Sequence, residues 1–443
     1  MKFRKILNFC LVICVMFLAG LSYTLVTPIF PAEALTRGVS VSESGIVLGS
    51  AFVTSLFCIP FSSKLVDVFG AKFSFAIAGI LAGFSNFSFG FISNLHHHTS
   101  YFLISLILRV LCATGESLIT TIAFPLGSAQ FDQKHQGKVL AIVESSFSVG
   151  MVAGPSIGGL LYNIWGFSIP FWTTGGLTII LSVLGLILMQ HKDEIHEETS
   201  TLKRTTYKEI LGCPSMLSSV FVYLLTGNSF SLYSASMEPY LMKRFGLNPG
   251  EIGLLLMGYS LSNAIISPVI GILMDYGLTP LKGILFGNTL IVTALLVLGI
   301  NGSVPMFGES ASVALTSIAL LVQGSGTAFI TIGSMIQLLG CVTKAGVANT
   351  DHTKSMVSSI WLMCWCLSGF IFTTSGSYAY DVLGFPWTCI LQAVILCIPL
   401  CWMLFKLLSS NTDKQIIFTK LDDSSDSEEL AIYEKNCIMA ELK

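Results

Sequence analysis

The sequence predicts an all-α membrane protein of twelve transmembrane helices arranged as two six-helix halves. Three observations carry this. Charged residues make up 11% of the 443-residue chain and hydrophobic ones 53%, whereas a soluble protein carries roughly 25% charged residues. Apolar runs long enough to cross a bilayer, about 20 residues each, recur along the whole chain. The second half of the chain also repeats the first.

The first six runs fall at about 6–30, 45–66, 73–93, 101–125, 138–161 and 168–189. The polar stretch His191–Glu209 interrupts them. Six more follow, at about 215–240, 252–274, 282–302, 312–340, 355–378 and 386–408. The expected organisation is therefore an N-terminal bundle over 1–190, a linker over 191–213, a C-terminal bundle over 214–410 and a tail over 411–443. The tail, with Asp422-Asp423-Ser424-Ser425-Asp426-Ser427-Glu428-Glu429, is too polar to bury a core and is expected to be disordered. Phosphorylation or sorting machinery is a candidate partner there; a merely solvating tail is the alternative. The first run follows Lys2, Arg4 and Lys5, so a cleaved signal is its alternative reading.

Of the 23 Lys and Arg, most fall on one side if both termini are cytosolic; Arg37, Lys243 and Arg244 fall on the other. That bias fits an even number of spans. Asn301-Gly302-Ser303 is a glycosylation sequon on the non-cytosolic side. Asn86-Phe87-Ser88 matches too, but lies within a span. The chain has 12 Cys, nearly all in apolar runs, where thiols act as small hydrophobes. No disulfide framework is expected.

At an offset of 208, Pro31, Gly38, Glu43, Gly45, Pro60 and Asp67 meet Pro239, Gly246, Glu251, Gly253, Pro268 and Asp275. At an offset of 218, Gly158, Tyr162, Gly166 and Phe167 meet Gly376, Tyr380, Gly384 and Phe385. Parallel repeats of this kind build transporters that rock around a central site.

The near-zero net charge, −2, excludes a nucleic-acid partner, which would need a basic surface. No GxxxxGK[ST] loop, HExxH or paired CxxC occurs, so neither direct ATP coupling nor a metal or cofactor is expected, and no enzyme activity. His96-His97-His98 reads as a solvated loop. Four charged residues lie inside runs: Arg109, Glu116, Glu144 and Glu238. Each costs about 2.5–3.5 kcal/mol at the bilayer centre, and such residues commonly line wet paths for substrate or protons. Arg109 and Glu116 are seven apart, about two turns, and share a helix face. A structural ion pair is the alternative for them, and an interfacial, hydrated acid the alternative for Glu238. An excess of acids in a low-dielectric cavity attracts cations. Tyr23, Phe147, Tyr233, Trp361 and Trp365 are candidates for cation–π contacts, with lipid-facing packing as the alternative. Gly150, Gly154, Gly158 and Gly159 let helices approach closely, and Pro155 bends run five. Asp67 and Asp275, at matching helix ends, can accept from neighbouring helix N-termini and so latch one face; an ordinary polar turn is the alternative.

These residues resemble the major facilitator superfamily, and within it the vesicular amine transporter family, closest to its polyamine branch. The resemblance covers about residues 6–408. It rests on Pro28-Ile29-Phe30-Pro31-Ala32-Glu33-Ala34, the turn from Asp67 to Lys72, Arg109, and Glu144 through Gly154-Pro155 to Tyr162. It extends to Gly166–Phe171, Glu238-Pro239, Ser267-Pro268 through Asp275, and Tyr380–Phe385. The resemblance implies alternating access and exchange of protons for a small cationic solute at an intracellular vesicle membrane. It places Glu144 and Glu238 at the amine or proton site, with Arg109 setting their charge state or gating the cavity. Glu116 has no counterpart in that pattern, and Ala19 stands where monoamine transporters carry an aspartate. Two other readings stay open: a transporter of a different solute with Arg109 as anion ligand, and a non-transporting sensor or scaffold.

Overall fold

A computed structural model describes residues 2–128, 136–188, 209, 212, 214–303, 309–344 and 351–422. The N-terminal half comprises α1 (Lys2–Leu25), the short α2 (Phe30–Leu35), α3 (Val41–Cys58), α4 (Ser62–Phe69), α5 (Ala71–Phe89), α6 (His98–Ser128), α7 (Gln136–Trp165) and α8 (Ser168–Leu188). The C-terminal half comprises α9 (Pro214–Thr226), α10 (Met237–Phe245), α11 (Pro249–Asp275), α12 (Pro280–Ser303), α13 (Glu309–Lys344), α14 (Asp351–Leu383) and α15 (Phe385–Asp422). Among the described residues, eleven helices are long and apolar enough to cross a membrane.

The repeat seen in the sequence has a structural cause. Glu43 and Glu251, matched at an offset of 208, each close a capping box, with Ser40 and Asn248 as the N-caps of α3 and α11. Such a box satisfies two orphan donors at a helix start. Gly38 and Gly246, just before those caps, both have positive φ, 78° and 65°, which only glycine adopts without strain. Gly166 and Gly384 do the same at 83° and 79°. The matched residues are thus the points where the chain turns between helices.

Two expectations need correction. The seventh run, expected as one span over 215–240, is broken. α9 stops at Thr226, a 3₁₀ turn runs over Ser229–Tyr233, and α10 begins at Met237. Gly227 and Asn228 are poor helix formers, and Asn228 adopts φ −134°, ψ 49°. The second correction concerns the tail. α15 runs on to Asp422, past the expected boundary at 410, because no glycine or proline interrupts Ser409–Asp422. Residues 423–443, with most of the acidic tail, and most of the linker 191–213 lie outside the described residues.

Consecutive spans run antiparallel, so the loops alternate between two ends of the bundle. One end, here the linker face, receives α8 and emits α9. At the other end the two halves touch. The closest inter-half packing is α7 with α11 and α3 with α14. A hydrophobic cluster at that end contains Leu25, Phe30, Val41 and Phe171 from the first half and Ala235 from the second. Elsewhere large apolar side chains face outward, among them Phe84, Ile107 and Phe405, as a lipid-facing surface requires.

Asn301 is 6% exposed, and its Nδ2 donates to the Ser312 carbonyl at 3.0 Å and to Thr316 Oγ1 at 3.3 Å. Asn301 is therefore helical and turned inward, and we propose that it carries no glycan in the folded chain. Glycosidase treatment should leave the electrophoretic mobility of the wild-type chain unchanged, while Asn301→Ala should lower stability by about 1–3 kcal/mol, the cost of a lost buried hydrogen-bond partner. Thermal unfolding in detergent measures the second effect. Asn86 is also buried, donating to Thr174 Oγ1 at 2.8 Å.

Candidate functional site

The structure joins two of the four intramembrane charges and separates the others. Arg109 and Glu116, both on α6, are buried at 5% and 3% exposure. Arg109 Nη1 lies 3.9 Å from Glu116 Oε2, an ion pair too long for a hydrogen bond. Arg109 Nη2 donates to the Tyr23 carbonyl at 3.1 Å, and the guanidinium sits 5.4 Å from the Tyr23 ring centre. Glu116 Oε1 accepts from Cys112 Sγ at 3.4 Å. Among the described residues, Glu116 Oε2 and the Tyr23 hydroxyl have no hydrogen-bond partner.

Tyr23 extends this pair to the middle of the molecule. Its ring centre lies 5.9 Å from Phe52 and 6.3 Å from Trp365, and Phe52 lies 5.4 Å from Trp365. The three rings come from α1, α3 and α14, so they bridge the halves. Edge-to-face contacts of this kind leave π faces able to take a cation. Phe52 carries no charge or motif to mark it in the sequence; only the α3–α14 contact reveals it. Trp361, also singled out in the sequence, stacks on Tyr223 at 5.5 Å and donates to Ser334 Oγ at 3.1 Å, inside the second half. The Tyr233 side chain lies outside the described ones.

Glu238 belongs elsewhere. It begins α10, is 1% exposed, and its Oε2 accepts from the Ala32 amide of α2 at 3.2 Å. Beside it, Glu33 accepts from Tyr162 at 3.1 Å and from Arg37 at 2.6 Å. Glu238 Oε1 has no partner among the described residues. This cluster lies at the closed end of the bundle. Three more hydrogen-bonded pairs among the described residues join the halves there: Ser42 to Asp381 at 2.5–2.8 Å, Asn163 to Asn248 at 2.7 Å, and Ser156 Oγ to the Gly253 carbonyl at 3.5 Å. Asp381, near the end of α14, is part of this seal.

Glycine makes the seal close. A Cβ on Gly45 would run into the Ser377 side chain and come within 3.1 Å of the Thr373 carbonyl. A Cβ on Gly253 would run into the Pro155 carbonyl group. The second contact is the repeat image of the first: 45 maps to 253 at one offset, and 155 to 373 at the other. Gly154 turns the other way, where a Cβ would meet the Leu21 carbonyl of α1 at 2.7 Å. Gly154 is therefore helix packing within the first half, and Pro155 is part of the contact between halves.

Glu144 lies on α7 toward the linker face. It precedes Pro155 by eleven residues, about three turns, and so shares its helix face. Where Pro155 is pressed against α11, Glu144 is exposed, as is neighbouring Ser145. No hydrogen bond or ion pair joins Glu144 to another described residue. Glu144 thus lies beyond the α7–α11 contact, on a stretch of α7 with several exposed side chains. The side chains of Asp67 and Asp275 lie outside the described ones; their backbones end α4 and α11, each followed closely by a positive-φ glycine, Gly70 at 77° and Gly277 at 105°.

The sequence profile of the Major Facilitator Superfamily matches residues 12–218 and again 219–428. The chain belongs to the major facilitator superfamily. Each match is one of the two halves described above. The relatives agree: a mouse MFS-type transporter SLC18B1 is 26% identical over 376 residues, 84% of this chain and 80% of that protein. Its human counterpart is 26% identical over 382 residues, with the same coverage. Multidrug resistance protein 2 of Bacillus subtilis is 22% identical over 55% of this chain and 60% of its own length. Among solved structures, a bacterial homologue of the human lysosomal transporter Spinster, inward-facing and unoccupied, superposes with a TM-score of 0.70. It is 14% identical and covers 91% of this chain and 97% of its own. The resemblance read from the sequence thus holds for the superfamily, with the SLC18B1 proteins among the relatives. This facilitator-fold protein is a multi-pass membrane transporter of small solutes.

Proposed function

We propose that this transporter exchanges protons for an organic cation, a polyamine, by alternating access between the cytosol and an acidic organelle lumen. The observation that carries the reading is the excess of carboxylates along the axis between the halves. Glu144 is exposed and joined to no other described residue, Glu116 faces a single guanidinium at 3.9 Å, and Glu238 Oε1 has no partner among the described residues. Among the described residues, Arg109 pairs with Glu116, and Arg37 is already engaged by Glu33 beside Glu238. A cation or a proton answers these charges; an anion does not. With both termini cytosolic, the linker face opens to the cytosol and the seal faces the lumen.

Alternation follows from the packing. The glycine contacts hold the lumenal side shut. A cation entering from the cytosol passes Glu144 and reaches the Tyr23, Phe52 and Trp365 rings, where it interacts with both halves. Binding that draws the halves together on the cytosolic side must part them at the seal, because each half moves as a packed body. Glu238, freed from the Ala32 amide when the seal parts, takes a lumenal proton as the cation leaves. The acid lumen then drives the next cycle.

The reading with Arg109 as an anion ligand is less well supported, because its guanidinium is already engaged by Glu116, the Tyr23 carbonyl and the Tyr23 ring. The test is spermidine uptake by purified protein in liposomes with an acid interior. Gradient-dependent uptake should fall at least tenfold in Glu144→Gln and in Glu238→Gln, with unchanged thermal stability for the exposed Glu144. Uptake indifferent to both substitutions would remove the carboxylate mechanism.

A further inference from the structure

The break in the seventh span is not explained by the cycle above. α9 is 13 residues long, a rise of about 20 Å, short of the ~30 Å hydrocarbon core. Its C-terminus therefore ends inside the membrane. A helix C-terminus carries a partial negative charge and orphan carbonyls. No basic residue lies in the last turn of α9. The Asn228 amide, which would continue the helix by bonding to the Leu224 carbonyl, instead donates to Ser368 Oγ at 3.2 Å.

Around this end are buried polar atoms without partners among the described residues: Asn228 Nδ2, Ser229 Oγ and Gln392 Oε1. Ser229 and Gln392 are 0% exposed and Asn228 is 7% exposed. Gln392 is held in place, since its Nε2 donates to the Ser229 carbonyl at 2.8 Å. Buried polar atoms are otherwise almost always satisfied, so a group of them beside a helix C-terminus points to a ligand. Discontinuous spans with exposed C-terminal ends are a common way for transporters to hold cations. The break also adjoins the aromatic cluster: a Cβ on Gly369 would lie 2.5 Å from the Phe52 ring and 2.7 Å from Asn228 Nδ2.

We propose that the end of α9, with Ser229 Oγ and Gln392 Oε1, is a second ammonium subsite, which receives the distal amino group of an elongated polyamine. The first amino group sits at Tyr23, Phe52 and Trp365, with Glu116 beside them. This deepens the cation reading and rests on it. It makes a single-charge amine a poorer ligand than a polyamine, because only the latter reaches both subsites.

Calorimetric titration of the purified full chain with spermidine, hexylamine and NaCl tests it, on wild type, Ser229→Ala and Gln392→Leu. Spermidine should bind at least tenfold more tightly than hexylamine, by the worth of a charged hydrogen bond. Both substitutions should erase that ratio while leaving hexylamine affinity unchanged. Ser229→Ala removes a hydroxyl with no hydrogen-bond partner among the described residues, so its melting temperature should not fall; it keeps the test valid should Gln392→Leu misfold. A ratio preserved in Ser229→Ala overturns the subsite. So does NaCl that competes with spermidine only in wild type, which would assign the site to an inorganic cation. If wild type binds neither amine, the subsite and the cation reading fall together; if it takes up spermidine but the ratio survives substitution, only the subsite falls.

Discussion

Gly253→Val should open the seal between the halves. The added side chain has no room, because the Cβ alone would collide with the Pro155 carbonyl group, with Ser156 Cα also only 3.3 Å away. These are backbone atoms of α7 and cannot rotate aside. Overpacking of this kind costs about 1–3 kcal/mol, which corresponds to roughly a 5- to 150-fold shift in the balance of two states. The penalty falls only on the state in which α7 and α11 touch. A cysteine pair at Asn163 and Asn248, bonded in the closed seal at 2.7 Å, reports that state by its cross-linking yield. The yield should fall by the same factor and spermidine uptake should fall with it. Gly45→Val should act alike at α3 and α14. Gly271→Ala on the same helix, with nothing within 4 Å, should change neither.

Arg109→Ala should destabilise the protein by about 3–5 kcal/mol, because it leaves Glu116 buried without a counter-charge. The double variant Arg109→Met with Glu116→Gln should recover most of that loss, since replacing both members of a buried pair is often near neutral. Thermal unfolding followed by tryptophan fluorescence distinguishes the two. A single variant as stable as wild type would show that the pair is hydrated rather than buried. The double variant should remain folded and yet transport poorly, because Glu116 no longer offers a charge beside the Tyr23 ring.

Much of this architecture could be read from periodicity and from the repeat. Of the twelve apolar runs, eleven are spanning helices among the described residues, because bilayer thickness fixes their length. The matched Gly38 and Gly246, Glu43 and Glu251 marked helix starts because caps and positive-φ turns demand those residue types. The broken seventh span escaped detection. Its residues are apolar enough to pass for one helix, and only Gly227-Asn228 hints otherwise. At the candidate site, the spacing of Arg109 and Glu116 placed them on one face because both are on α6. Glu238 could not be placed, since its partner is a backbone amide of α2, far away in the chain. Phe52, Gln392 and Ser229 carry no pattern at all; they matter through what they touch.

The most direct measurement is proton movement itself. Purified protein is sealed in liposomes loaded with acid buffer and a pH-sensitive dye, and spermidine is added outside. Exchange predicts a saturable alkalinisation of the interior that begins with spermidine addition and is lost in Glu144→Gln. Spermidine entry with no change in interior pH would contradict it.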